Sequence, residues 1–190
     1  MIIYNAEYAI RDKISRNTFA ALCFNFVPKS NEIVAGEDKK LDVINYLKSS
    51  LYGNDTFWFP AILVTTNWNR NDDVFTPKDT WQARKTPVGK PVDWQHNIGE
   101  NSPNDHNEII GVINACAPIL PDYTILPDNT DIDSISKFHL AVGCVIWKKY
   151  FPTYAEEIID RLPKNNLFVS MECQFGNFGY ALRKENTNDI

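Results

Sequence analysis

The segment Phe138 to Lys148 (FHLAVGCVIWK) is apolar at nearly every position, and its run from Leu140 to Trp147 is unbroken. A half-exposed strand would alternate polar and apolar residues, and an amphipathic helix would return a polar residue every three or four positions. At eight residues the run is also far short of the roughly 18 needed to cross a bilayer, as is the equally long run Phe57 to Val64. What remains is a strand covered on both faces, in the wall of a filled barrel or in a sheet with layers on either side. Any fold open to this chain must put that strand at its centre.

The rest of the chain supplies neighbours for it. Short segments rich in aromatic and β-branched residues predict further strands at Thr18 to Val27, Phe57 to Thr66, Glu108 to Asn114, Leu167 to Phe175 and Phe178 to Arg183. Two helices are expected. Lys40 to Leu51 puts Leu41, Ile44, Leu47 and Leu51 at spacings of three and four, with Gly53 as a stop signal. Pro152 to Arg161 opens on a proline, whose missing N–H costs nothing in a first turn, turns Ile158 and Ile159 inward, and is stopped by Pro163. A shorter helical turn is expected over Pro77 to Ala83, capped by Thr76. The fold class is therefore α+β, mainly β, and 190 residues are enough for one domain that buries about 70% of its unfolded surface.

Charge narrows the function classes. Lys and Arg number 19 against 24 Asp and Glu, a formal net charge of −5 with no basic run. Neutralising phosphates takes clustered cations, so neither a nucleic acid nor an anionic membrane surface is an expected partner. Met1 to Arg11 has no basic stretch leading into an apolar one and does not read as a signal peptide. Cys23, Cys116, Cys144 and Cys173 are scattered and never in CxxC spacing, so they read as free thiols of the core. No cofactor is implied. His96 and His106 with Asp93 or Asp105 lack a compact ligand spacing, so no metal site is expected.

Two histidines have ordinary explanations: His139 sits inside the apolar strand, where a satisfied core imidazole is expected, and His106 lies in a polar loop. His96 differs. It ends the extended stretch Lys90 to His96 (KPVDWQH) and precedes the loop Asn97 to Asn107, so a strand could hold it while its ring faces a cleft, as a general base requires. Leu167 to Phe175 (LFVSMECQF) carries the second candidate. With a period of two, Leu167, Val169, Met171, Cys173 and Phe175 make one apolar face, which is expected to be the core. The opposite face gathers Phe168, Ser170, Glu172 and Gln174. A serine hydroxyl is a poor nucleophile until a base takes its proton, so Ser170 gains meaning only together with His96.

The ordered set of these segments resembles a known group. Asn67 to Phe75 (NWNRNDDVF), Lys90 to His96 and Glu108 to Ile113 (EIIGVI) resemble the histidine region of phage prohead, or capsid maturation, proteases. His139 to Tyr150, Pro152 to Asp160 and Phe168 to Glu172 (FVSME) are similar to the serine region of the same group, in the same order. The resemblance covers about Asn67 to Phe175. It implies a small antiparallel β-barrel flanked by a few helices, as in the herpesvirus assemblins, with Ser170 as nucleophile and His96 as general base. The implied substrates and partners are phage scaffold and major capsid proteins, together with the protease itself and a homodimeric state. The implied location is the host cytoplasm during assembly, then the procapsid interior or the virion.

The third catalytic member departs from the group's pattern, which places an acid or a second histidine on a later strand. Only 20 residues follow Ser170, and they end in the polar stretch Lys184 to Ile190. Glu172, Glu185 or a residue beyond the end of this chain are the alternatives. The last is favoured, because a residue two along the same strand points parallel to Ser170, and Glu172 then lines the cleft. The chain is accordingly expected to be a single protease-like domain, residues 1–190, lacking a C-terminal segment. The reading that competes with an active protease is a non-catalytic virion or assembly protein that keeps the fold.

Overall fold

A computed structural model describes residues 17–22, 37–48, 53–68, 74–94, 108–164 and 167–173. His96, His106, Cys23, Leu51, Glu185 and the strand expected at Phe178 to Arg183 lie outside the described residues. The architecture is α+β and mainly strands: a curled antiparallel sheet forming a half-barrel, with three helices among the described residues. The sheet contains β2 (Phe57–Thr65), β5 (Pro91–Trp94), β6 (Glu108–Ile119) and β7 (His139–Ile146), in the order β2-β7-β6-β5. A second antiparallel pair, β1 (Asn17–Leu22) with β8 (Phe168–Cys173), lies beside β2. A small ribbon joins β3 (Asn67–Trp68) to β4 (Val74–Phe75).

The apolar run becomes β7, hydrogen-bonded to β2 on one side and β6 on the other, and Leu140 to Ile146 are all buried. Its two faces feed two cores. Leu140, Val142, Cys144 and Ile146 join Phe59, Val64, Ile110 and Ile113 and are covered by Ala155 and Ile158 of the helix α3 (Pro152–Arg161). Ala141, with Ile62, Ala117 and Ile119, is covered by Val43 and Leu47 of the helix α1 (Glu37–Leu47). A third cluster, Trp81, Leu126 and Phe138, attaches the short helix α2 (Pro77–Ala83). At α2 the sequence and structure agree to the residue: Thr76 Oγ1 accepts from the Asp79 N–H at 3.1 Å.

Curvature comes from register shifts. β2 slips between Ile62 and Val64 and β6 between Ile113 and Ala115, leaving Leu63 and Asn114 as extra residues. Each bulge bends its strand and strengthens the twist, which is how a flat ladder becomes half a barrel. The Asn114 bulge has a second use. Asn114 Nδ2 and Trp58 Nε1 both donate to the Leu47 carbonyl, at 3.0 and 3.1 Å. That carbonyl belongs to the last turn of α1, where no intrahelical donor serves it. The end of the helix thus docks on the sheet through two side chains from β2 and β6.

Several expectations need correction. α1 runs over Glu37–Leu47 rather than Lys40 to Leu51, and its buried face is Val43 and Leu47, with Leu41 50% exposed. At 100° per residue Leu41 stands about 120° round from Leu47, whereas Val43 is about 40° away. In α3 Ile158 is buried but Ile159 is 42% exposed, because adjacent helical residues diverge and the inward face is Ala155 with Ile158. β6 continues past Asn114 to Ile119, through a stretch containing Pro118. The Pro118 carbonyl accepts from the Leu126 N–H at 2.9 Å, so the side of Pro118 that lacks an N–H faces the following turn and not β7. That turn is also tied to α1. Lys39 Nζ donates to Asp122 and to the Thr124 hydroxyl, and the first of these bonds holds the Asp122 carboxyl down at about 2.

Candidate active site

Ser170 lies in the middle of β8, its Cα opposite Ala20 of β1, and Glu172 lies opposite Thr18. The backbone of both is described and their side chains are not. The apolar face expected for this strand is present where it is described: Leu167 and Val169 are half-buried and pack against the core under α3. Val169 also touches the core under α1, so the strand bearing Ser170 sits where the two cores meet.

The approach to His96 is β5, the outermost strand of the half-barrel. Val92 and Trp94 pack against the same core as Leu167 and Val169. Trp94 is the last residue of β5 and pairs with Glu108 of β6. Its indole stacks on the Tyr154 ring of α3, with centroids 5.4 Å apart and planes at 23°, and Tyr154 stacks in turn on Phe151 at 6.3 Å and 25°. His96 follows Trp94 by two residues in the sequence. The structure therefore brings the strand of Ser170 and the strand that leads to His96 onto one hydrophobic cluster.

His139 has the satisfied partner expected of it. Its Nδ1 lies 2.9 Å from Thr65 Oγ1, a residue directly opposite on β2. Partial burial, and then the nearby positive charge of Lys137, push the imidazole below its ordinary value of 6.5. The unfolded chain takes up this proton more readily than the folded one. The contribution of His139 is thus complete above about pH 6.5 and is lost as pH falls below that value towards the folded-state pKa. Urea midpoints should drop between pH 7.5 and pH 5, and His139→Gln should flatten that part of the profile; an unchanged slope would contradict this placement. The pair has no local signal in the sequence, although antiparallel alignment of the two apolar strands sets Thr65 against His139.

Cys116, Cys144, Asp122 and Ser134 have ordinary structural partners or are buried. Cys116 and Cys144 are free thiols, as expected, and burial pushes the Cys116 thiol up to about 12, so it stays protonated and unreactive near neutrality. The side chain of Cys173 is not described. Among the described residues no group of three or more His, Cys, Asp and Glu stands ready to hold a metal ion. An open groove of about 360 Å³ is lined by Leu120 to Asp122 and Ser134 to Lys137. Its Asp122 is bonded to Lys39 and its Ser134 hydroxyl donates to the Asp131 carbonyl, a stabilising arrangement and not a nucleophile with its base. No helix among the described residues is long and apolar enough to cross a membrane. Comparison of the chain with known protein families, with characterised proteins and with solved structures finds no match.

Proposed function

We propose that the protein is a serine endopeptidase of phage head maturation, built on an assemblin-like barrel, which cleaves scaffold and major capsid proteins and also itself. The observation that carries the reading is the convergence of β8, through Leu167 and Val169, and the end of β5, through Trp94, on one cluster. A nucleophile and a base drawn from distant parts of the chain need such a common floor. Ser170 Oγ attacks the scissile carbonyl carbon while His96 takes the hydroxyl proton, then returns it to the leaving amine as the acyl-enzyme forms. Water, deprotonated by the same imidazole, releases the acyl group. Backbone N–H groups hold the oxyanion. Glu172 shares the face of Ser170 by the period of two and lines the cleft in this reading. The protease works as a homodimer in the host cytoplasm, inside the procapsid or in the virion.

A fluorophosphonate probe tests this directly. Wild-type protein should be labelled stoichiometrically, with the adduct mapped to the peptide holding Ser170, and Ser170→Ala should abolish labelling. His96→Ala should slow it by about 100-fold or more, the usual share of a general base. Co-expressed capsid and scaffold proteins should remain uncleaved with Ser170→Ala. A folded wild-type chain that takes up no probe would instead be the non-catalytic assembly protein.

A further inference from the structure

We propose that the turn formed by residues 120–125 is a strained strap held closed by α1, and that unseating α1 lets the turn relax and move one wall of the groove it lines, a device independent of the endopeptidase reading. After β6 the chain reverses through a three-residue loop, Pro121-Asp122-Tyr123. The Leu120 N–H donates to the Thr124 carbonyl at 2.8 Å, the Tyr123 N–H donates to the Leu120 carbonyl at 2.9 Å, and Ile119 bridges Ile125 antiparallel. A loop of this length commonly ends in a left-handed residue, and after Pro-Asp the residue best suited to that place is glycine. Tyr123 stands there instead, with φ 67°. In that conformation its Cβ crowds the following carbonyl, a cost that glycine does not carry. A bulky residue stays left-handed only where its surroundings over-determine it.

Helix α1 supplies those surroundings. Lys40 Nζ lies 4.9 Å over the centroid of the Tyr123 ring, and the ring packs half-buried against the cluster that contains Val43 and Leu47. Lys40, Val43 and Leu47 follow one another at spacings of three and four, so one face of the helix bears on the tyrosine. Lys39 grips the loop on either side of it: Nζ donates to Asp122 Oδ2 at 2.5 Å and to Thr124 Oγ1 at 2.8 Å, while Asp122 Oδ1 accepts from the Thr124 N–H at 3.1 Å. The Lys39 and Asp122 side chains are 48% and 57% exposed, so this grip is weak enough to release. Residues 120–122 also form one wall of the groove of about 360 Å³, and residues 134–137 form the other. The seat of α1 and the shape of the groove are thereby coupled through the strained turn.

Native-state amide exchange of the full chain tests the strap, read as protection factors with β7 as the internal standard. Combining Lys39→Met with Lys40→Met removes both ammonium groups and keeps good helix formers. Protection in α1 and at the Leu120 and Tyr123 amides should fall together by about 5- to 10-fold, and the amide signals of residues 134–137 should shift, while β7 holds. Should that variant fail to fold, raising the salt on wild-type protein from about 0.05 M to about 1 M screens the exposed Lys39 pair and should move the same amides in the same direction. Tyr123→Ala and Tyr123→Gly both remove the ring, and only glycine relieves the left-handed backbone. Leu120 and position 123 should therefore be about 5- to 30-fold better protected in the glycine variant than in the alanine variant. Equal protection in those two variants would mean that the turn stores no strain. Turn amides or groove signals that ignore the loss of the lysine charges would mean that α1 does not hold the strap, and either result overturns the proposal.

Discussion

Replacing Gly143 with alanine is expected to lower the unfolding free energy by about 3 kcal/mol or more, the upper range for forcing a methyl group into a packed site. Gly143 is at the centre of β7, opposite Pro60 of β2 and Ala115 of β6. A Cβ there would stand 2.5 Å from the Leu47 carbonyl oxygen and 2.9 Å from both Asn114 Oδ1 and Trp58 Nε1. The first of these is helix backbone, and the other two belong to the side chains that donate to it, so none can yield alone. The methyl group would lift the end of α1 off the sheet and break one or both bonds to Leu47, each worth about 0.5–1.5 kcal/mol. For a chain of this size the melting temperature should fall by roughly 6–12 °C. Gly53→Ala is the control: its added Cβ meets nothing within 4 Å, and its stability should stay within about 0.5 kcal/mol of wild type. Equal, small effects at the two positions would mean that α1 does not dock over Gly143.

Phe138→Ala is expected to cost about 3–5 kcal/mol, the usual loss for emptying a buried aromatic site. Phe138 is fully buried, meets the Trp81 ring edge-on at 6.0 Å and 87°, and holds α2 to the end of the sheet together with Leu126. The backbone of Phe138 is bound separately: its N–H donates to Thr66 Oγ1 at 2.9 Å, and its carbonyl accepts from the Thr66 hydroxyl at 3.1 Å and the Thr66 N–H at 3.0 Å. Truncating the ring leaves those bonds in place, so the loss measures packing and not hydrogen bonding. Urea denaturation should give the magnitude. Amide exchange should quicken first in α2, which depends on the cluster, and retain protection in β7, which is held by two ladders; uniform loss of protection would show that α2 is not a separately anchored unit.

The elements differ in how far their local sequence dictates them. α2 and α3 were readable to the residue because their starts are written locally: Thr76-Pro77 supplies a cap and a proline at the first turn, and Phe151-Pro152 the proline alone. The central position of β7 followed from its lack of alternation. The length of β6 did not, since Pro118 reads as an end until the partner that tolerates it is known. Nor did the buried face of α1: Leu41 and Val43 are both apolar, and only docking over Gly143 chooses Val43.

The candidate site divides in the same way. Ser170 stands out by the period of two in its strand, and Leu167 and Val169 of the opposite face pack against the core. His96 stands out by its place between an extended segment and a polar loop. That their two strands share a floor depends on Trp94, Tyr154 and Val169, which are far apart in the chain and carry no mutual signal.

By itself, then, the amino-acid sequence determined what depends on neighbours along the chain: a doubly covered strand, two proline-opened helices, the inward face of Leu167 and Val169, and the free thiols of Cys116 and Cys144. Those follow from backbone geometry and side-chain period, which act over a few residues. Tertiary structure alone decided the bulges at Leu63 and Asn114, the seat of α1 over Gly143, the pairing of Thr65 with His139 and the aromatic stack from Trp94 to Phe151. Each joins segments that gain nothing from one another until the sheet has brought them together, because close packing and hydrogen bonding act only over a few ångströms of space.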